Sequence, residues 1–365
     1  MLASKKPLRY PFNETPEFGT IKQVVRGVYW VRMPLPMALD HINLYLLEDE
    51  AGWYIVDTGM RGGDKQKYWQ QIFDNALNGK PVIGVIVTHM HPDHVGQAGW
   101  LTEKWRVPLY MTRLEYLQAR VLVGMPSGLS WTTEQHMHRI GVGAERIDKM
   151  RQSSWGFGDI VEPLPMAYNR LVADTVLSIG GNDWRVIIGE GHSPEHACLY
   201  SAALNVLLSG DQVIPRITSN ISVMASEPEA NPLADWLSSL QQFYDLPGDT
   251  LVLPSHNTPF YGLHERITFL LQHHEDHMVA LEKACVESQT AVELLPVLFR
   301  RKLEGSQINM ALGECVAHLN LLIARQRMSR TLDDDGVYQY QTIDPEVSDR
   351  QLSEDYFKDD PPVMV

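Results

Sequence analysis

The apolar positions along the chain predict a series of short strands interrupted by amphipathic helices. Apolar runs bounded by turn residues are typical of strands, and they lie at 28–31, 42–47, 53–56, 82–87, 107–110, 176–179, 184–188, 198–200, 206–208 and 251–253. Helical spacing of apolar side chains predicts helices at 65–76, 96–105, 114–123, 132–139, 231–245 and 263–285. Strands and helices in this order indicate a layered α/β fold.

The sequence after residue 285 follows a different pattern. Thr290 and Glu293 form a capping-box signature that opens a helix through Phe299. Apolar spacing predicts a second helix at 307–324, and a hairpin is predicted at 330–341. The predicted organisation is an N-terminal arm, a large α/β domain with a helical insert, a small helical module and an acidic tail, with bounds at 1–20, 21–264 (insert 111–172), 265–343 and 344–365.

Histidine and aspartate residues gather where predicted strands end. Four of them follow the run 82–87, and each of the others follows a later run: His89, His91, Asp93, His94, His192, Asp211 and His256. Imidazole and carboxylate are the usual protein ligands of zinc and similar divalent ions. A turn that leaves a strand can aim several such side chains at one point. The sequence therefore predicts a metal site at these strand ends.

This ordered set resembles the metallo-β-lactamase-fold hydrolase superfamily over roughly Val24 to His264, with the HxHxDH motif complete at 89–94. The resemblance implies an αββα sandwich with metals at one edge between two sheets. It implies one divalent ion held by His89, His91 and His192, a second held by Asp93, His94 and His256, and Asp211 bridging both. It also implies that Asp57 and His196 support the ligands from behind without binding metal.

Two divalent ions that share a water lower its pKa and give a metal-bridging hydroxide that attacks the substrate. Asp211 would fix the spacing of the ions, while Asp93 would orient the hydroxide or receive its proton. Zinc is the expected metal, with iron and manganese as alternatives, because His/Asp sites do not discriminate sharply. The expected class is therefore a dinuclear metal-dependent hydrolase.

The expected substrate is an ester or thioester, acyl-bearing or similar to hydroxyacylglutathione. A lactone, and RNA or DNA cleaved by an endonuclease, are the alternatives. Antibiotic hydrolysis is disfavoured because β-lactamases of the superfamily usually carry cysteine where Asp211 stands. The net charge of −14 disfavours non-specific attraction to nucleic-acid phosphates.

The C-terminal helix, helix and hairpin resemble the small winged-helix module appended to some of these hydrolases. Acidic residues outnumber basic ones there, which favours packing or homodimer formation over nucleic-acid binding. The chain has 44% hydrophobic and 21% charged residues, with three cysteines, as is ordinary for a soluble globular protein. With no CxxC spacing, signal peptide or apolar run of membrane-spanning length, a cytoplasmic location without membrane contact is expected.

Two further groups of side chains leave alternatives open. Methionine and tryptophan residues in the insert, among them Met125, Trp131 and Trp155, would line an apolar pocket or simply pack the insert. Histidines outside the motif are interpreted as surface residues, with metal binding as the alternative: His136, His138, His273, His274 and His277.

Overall fold

The computed structural model describes residues 7–37, 39–152, 156–305, 307–344 and 351–353. The start of the predicted arm (1–6), Trp155 and most of the predicted tail lie outside these residues. The chain forms two compact units. The first unit comprises Met1–Ser127, Trp155–Arg216 and Ser239–Arg266, and the second comprises Gly128–Ser154, Ile217–Ser238 and Ile267–Val365. The domain boundaries given above remain predictions.

A seven-stranded sheet is the main element of the first unit, and its spatial order follows the chain. Its strands are β1 (Lys22–Val25), β2 (Val28–Pro34), β3 (His41–Glu48), β4 (Trp53–Val56), β5 (Val82–Ile86), β6 (Leu109–Met111) and β7 (Asn169–Arg170). Strands β1 to β4 pair antiparallel, and β4 to β7 pair parallel. The carboxyl ends of β4 and β5 therefore open at the same edge.

The second sheet of this unit has five strands in the order β12-β11-β10-β9-β8. They are β8 (Val176–Ile179), β9 (Asn182–Gly189), β10 (His196–Ser201), β11 (Val206–Gly210) and β12 (Leu251–Pro254). Strands β11 and β12 are parallel, and the other pairs are antiparallel.

Alternation along the strands of the first sheet builds two cores. In β2, Trp30 packs toward the second sheet with Trp184 and Leu208. Its neighbour Val31 packs on the other face, in a cluster that includes Trp69 of a flanking helix. Successive strand residues point to opposite faces, so one sheet supplies both cores. Two packed sheets with helices outside confirm the predicted layered α/β architecture.

Eleven α-helices are described. They are α1 (Gly63–Asn75), α2 (Pro92–Val95), α3 (Ala98–Trp105), α4 (Arg113–Gly124), α5 (Trp131–Arg139), α6 (Ala144–Gln152), α7 (Phe157–Ile160), α8 (Pro232–Leu240), α9 (Leu263–Ala284), α10 (Ala291–Leu298) and α11 (Gln307–Ala324). A 3-10 helix follows α8 at Gln241–Asp245. Within the described part of the chain, no helix is long and apolar enough to cross a membrane. Helix α6 was not predicted because it buries only Ile147 and lacks an apolar stripe.

The C-terminal part of the second unit contains the predicted helices and hairpin. Thr290 caps α10, since its hydroxyl accepts the N–H of Glu293 at 3.3 Å and the Glu293 carboxylate accepts the N–H of Thr290 at 2.8 Å. Helix α10 packs on α11, and β13 (Met328–Leu332) pairs antiparallel with β14 (Tyr338–Thr342). The helix, helix and hairpin are confirmed, while the winged-helix assignment remains a prediction.

The surface interpretation of the extra histidines is wrong for four of the five. His136, His273, His274 and His277 are buried, and of this group His138 is exposed. Helix α9 looks polar on its histidine face, but other parts of the second unit cover that face. The indole of Trp236 meets the ring of His274 edge-on at 5.0 Å. Helical periodicity cannot reveal such a second covering layer.

The buried carboxylate of Glu282 generates the first prediction. Its Oε1 accepts the Nε–H of Arg327 at 2.7 Å, and the Glu282 side chain is fully buried. Replacing Arg327 by an apolar side chain removes this charge partner of the buried Glu282 and also the ion pair of Arg327 with Glu275 at 3.0 Å. We expect Arg327→Met to lower the free energy of unfolding by about 3–5 kcal/mol, measured by denaturant titration. The control is Lys149→Met, which breaks an exposed pair with Glu145. Equal stability of the two variants would contradict the prediction.

Candidate metal centre

The first unit brings the seven predicted residues together at the ends of its strands. The loop after β5 and the short helix α2 carry His89 to His94, while β9, β11 and β12 lead into the other three. They form two adjoining groups. One contains His89, His91, His192 and Asp211, and the other contains Asp93, His94 and His256.

In the first group, three imidazole nitrogens converge. Nε2 of His89 lies 2.9 Å from Nδ1 of His91 and 3.2 Å from Nε2 of His192. Oδ2 of Asp211 lies 3.4 Å from Nε2 of His192 and 4.0 Å from Nε2 of His89. Four donor atoms from three segments of the chain therefore surround one point.

The second group shares Asp211 with the first. Oδ2 of Asp93 lies 3.6 Å from Nε2 of His94 and 3.4 Å from Nε2 of His256. Oδ2 of Asp211 is 3.4 Å from Nε2 of His94, and its Oδ1 is 3.5 Å from Nε2 of His256. Asp211 thus faces both groups with its two carboxylate oxygens.

The separations between the carboxylate oxygens and the imidazole nitrogens fit divalent ions better than hydrogen bonds. A good hydrogen bond to a carboxylate is shorter than about 3.2 Å. Tetrahedral ligands with bonds of about 2.1 Å lie about 3.4 Å apart. Among the described residues, none makes a hydrogen bond to the buried Nε2 of His94 or of His256. The donor set is imidazole and carboxylate throughout, which suits divalent metal ions.

The electrostatics of the two groups differ. Burial and the neighbouring histidines hold the pKa of His89 well below its usual value and lower that of His91 to about 3. Burial also acts on His94 and His256, but nearby carboxylates outweigh it. The carboxylates, chiefly Asp93 and Asp211, raise the pKa of His94 well above its usual value and that of His256 to about 9. The carboxylates therefore favour positive charge on their side of the site, which protonated imidazoles or a bound divalent cation can supply.

Asp57 orients two histidines from behind. Its carboxylate accepts the Nδ1–H of His94 at 2.8 Å and the hydroxyl of Thr88 at 2.8 Å. Because that hydroxyl donates to Asp57, it accepts from Nδ1 of His89, 3.0 Å away. Both rings are left with Nε2 directed into the centre. Asp57 has a φ of 60°, a conformation that aspartate tolerates better than most residues.

His196 lies outside both groups, behind Asp211. Its Nε2 accepts the backbone N–H of Asp211 at 3.1 Å, and its ring stacks on that of His89 with centroids 4.7 Å apart. Gly210 has a φ of 52°, and a Cβ there would come within 2.4 Å of the His196 imidazole. The glycine allows this imidazole to reach the backbone of Asp211.

Two positioning residues escaped the sequence reasoning. Glu115 on α4 accepts the backbone N–H groups of Met90 and Glu195, each at 2.8 Å, and so links the two histidine loops. The side-chain amide of Asn43 in β3 donates to the carbonyl oxygens of Pro254 (3.0 Å) and Asn257 (2.8 Å), on either side of His256. A polar Asn43 within an apolar strand was a visible signal. The loops that Glu115 links are remote from each other in sequence, so the sequence contains no comparable signal for Glu115.

The predicted apolar pocket remains a prediction. Met111, at the start of the insert, is fully buried in the core of the first unit. Met125 and Met166 are exposed in that unit, and Trp131 is 72% exposed in the second unit. Trp155 lies outside the described residues.

Comparison with known proteins agrees with this geometry. The family model "Metallo-beta-lactamase superfamily" matches residues 38–256, and "Metallo-beta-lactamase-like, C-terminal domain" matches 278–343. A crystal structure of a beta-lactamase domain protein from Burkholderia ambifaria is 44% identical with a TM-score of 0.87, over 92% of this chain and 98% of that one. A metallo-beta-lactamase family protein from Thermus thermophilus is 26% identical with a TM-score of 0.74, over 88% of this chain and 100% of that one.

A curated relative points in the same direction. The Bacillus subtilis (strain 168) protein named "Probable metallo-hydrolase YqgX" is 25% identical over 62% of this chain and 89% of its own length. The expected resemblance is confirmed by the family models and by these structures. With its HxHxDH motif and its His/Asp clusters at the strand ends, the chain is a hydrolase that belongs to the metallo-beta-lactamase superfamily.

Proposed function

We propose that this hydrolase works with two divalent ions, zinc in the first instance, and cleaves an ester or thioester. The observation that carries the proposal is the position of Asp211, whose oxygens lie within 3.5 Å of His192, His94 and His256. A carboxylate that faces two donor groups suits a bridge between two ions. The first group would hold one ion and the second group the other.

Divalent ions in this position supply Lewis acidity toward a carbonyl oxygen and lower the pKa of a bound water. The two carboxylates, Asp211 and Asp93, have different roles in the proposed reaction. Asp211 is 1% exposed and holds its place through the N–H bond to His196. The Asp93 side chain is 17% exposed, so it is the carboxylate of the pair that solvent and substrate reach. Asp93 therefore orients the attacking water and accepts its proton.

The chain's own side chains support hydrolysis without a covalent intermediate on cysteine. All three cysteines are buried, and burial raises the pKa of Cys198, Cys285 and Cys315, for Cys285 to about 12. A thiol of that kind is a poor nucleophile at neutral pH. The net charge of −14 favours a small substrate over a nucleic acid. An acyl ester or thioester meets these conditions, and a lactone presents the same carbonyl chemistry.

A substrate panel tests the proposed bond. Metal-loaded protein is assayed against acyl esters and thioesters, lactones, bis-p-nitrophenyl phosphate and labelled RNA, with Asp211→Ala as the blank for contaminating activity. We expect turnover of the acyl substrates that disappears in the variant. RNA cleavage that falls steeply with salt, without thioester turnover, would replace the proposal with the endonuclease alternative.

The number of ions is a separate prediction. Replacing His91 and His256 together by alanine removes one donor from each group. We expect elemental analysis to show about two metal equivalents fewer per chain in this double variant than in wild type. A difference of one equivalent would show a mononuclear centre. No difference would mean that the two groups hold no metal.

The positions of Asp211 and His196 predict that their alanine variants differ in metal content and in activity. Asp211→Ala removes a donor to both groups, so metal content and activity should both fall. His196→Ala removes the support of the Asp211 backbone and the ring stacked on His89, but no donor of either group. Metal should therefore stay, and kcat/KM should fall by about 10–100-fold. The matched control is His196→Gln, which keeps an acceptor for that N–H and should lie closer to wild type. Equal metal loss in the Asp211 and His196 alanine variants would contradict the assigned roles.

A further inference from the structure

A second cluster of histidines lies in the second unit. His274 and His277 are three residues apart on α9, and His318 is on α11. All three are at least 95% buried. One ring nitrogen of each lies within 4.8 Å of a ring nitrogen of the other two, and Nδ1 of His274 is 2.9 Å from Nε2 of His318. Residues three apart on a helix share a face, so α9 presents two imidazoles to the same point.

The tautomer of His318 is set by its hydrogen bond. Its Nδ1 lies 2.8 Å from the carbonyl oxygen of Glu314, which can only accept, so Nδ1 carries the proton. Nε2 then presents its lone pair toward His274. His256 is arranged in the same way at the hydrolytic centre, with Nδ1 3.1 Å from the carbonyl oxygen of His41. An anchored N–H with the other nitrogen directed inward is characteristic of metal-binding histidines.

Burying three imidazoles carries a desolvation cost that apolar side chains would avoid. The neighbouring residues of α11, Cys315 and Leu319, are fully buried and apolar. Burial lowers the pKa of His318 to about 4 and that of His277 well below its usual value. The neutral imidazole is the form that binds metal ions. For His318 this direction agrees with the tautomer that the Glu314 carbonyl sets, which leaves Nε2 unprotonated.

We propose that His274, His277 and His318 form an additional metal site, separate from the hydrolytic centre, that binds a transition-metal cation such as Zn²⁺. An all-nitrogen donor set favours zinc, copper or nickel over magnesium and calcium, which require oxygen ligands. Because the three rings are buried, the ion is structural and ties α9 to α11 within the second unit.

Anomalous diffraction from crystals of the wild-type full chain grown with zinc tests the site directly. We expect a peak at the zinc edge among the three imidazoles, about 2.1 Å from each ligating nitrogen, in addition to density at the hydrolytic centre. This measurement needs no variant and so does not depend on the folding of one. Zinc at the hydrolytic centre with none at the cluster would overturn the proposal, and the three histidines would then be a hydrogen-bonded packing element.

A variant pair gives an independent measurement. His277→Gln keeps a polar side chain of similar size and removes one ligand. We expect it to lose about one metal equivalent per chain and much of the zinc-dependent rise in unfolding temperature, while hydrolysis continues. The matched control is His136→Gln, which replaces a buried histidine of the same unit outside the cluster. Equal metal content in His277→Gln, His136→Gln and wild type would overturn the site. That outcome leaves the hydrolytic centre untouched, since its ions are tested through His91 and His256.

Discussion

The first unit depends on holding the carboxylate of Asp211 in a place that water does not reach. Its side chain is 1% exposed and lies among three imidazole nitrogens at 3.4–3.5 Å. A buried charge costs several kcal/mol unless opposite charge compensates it, so the position of Asp211 cannot drift. Three features restrict it: the end of β11, the N–H bond to His196, and the absence of a side chain at Gly210.

The same constraint explains why the centre is built from both sheets. One strand end supplies ligands over a short stretch, whereas the donors here come from strands of two different sheets. Hydrogen bonds within the unit hold the donors from the two sheets in fixed positions relative to one another. Asn43 of the first sheet bonds the loop that carries His256 after the second sheet. Glu115 bonds the loops of His89 and His192 at the same time. Preorganisation of this kind is what a hydrolytic metal centre needs.

Much of the fold and of the centre could be predicted from the sequence because the signals are local. The strand 82–87 and the motif from His89 to His94 lie within thirteen residues, and the helix α11 was predicted with its observed bounds. The site residues after β9, β11 and β12 repeat the same local pattern, in which an apolar run is followed by a histidine or an aspartate. Glu115 was not predicted, since its role arises only when the loops of Met90 and Glu195, 105 residues apart, meet. Periodicity carries no information on such pairs.

The histidines of α9 show where prediction from the sequence pattern fails. A helix face with several histidines reads as polar, and polar faces are usually solvated. In the second unit that face is covered by Trp236 and by His318 from α11, so the imidazoles are desolvated instead. Burial changes what a histidine does, because it holds the ring neutral and makes each nitrogen either a fixed donor or a fixed acceptor. At His318 the backbone carbonyl of Glu314 makes that choice, leaving Nε2 unprotonated and directed toward His274. The physical features that suit the strand-end histidines to metal binding therefore also occur in histidines that a helical pattern assigns to the surface.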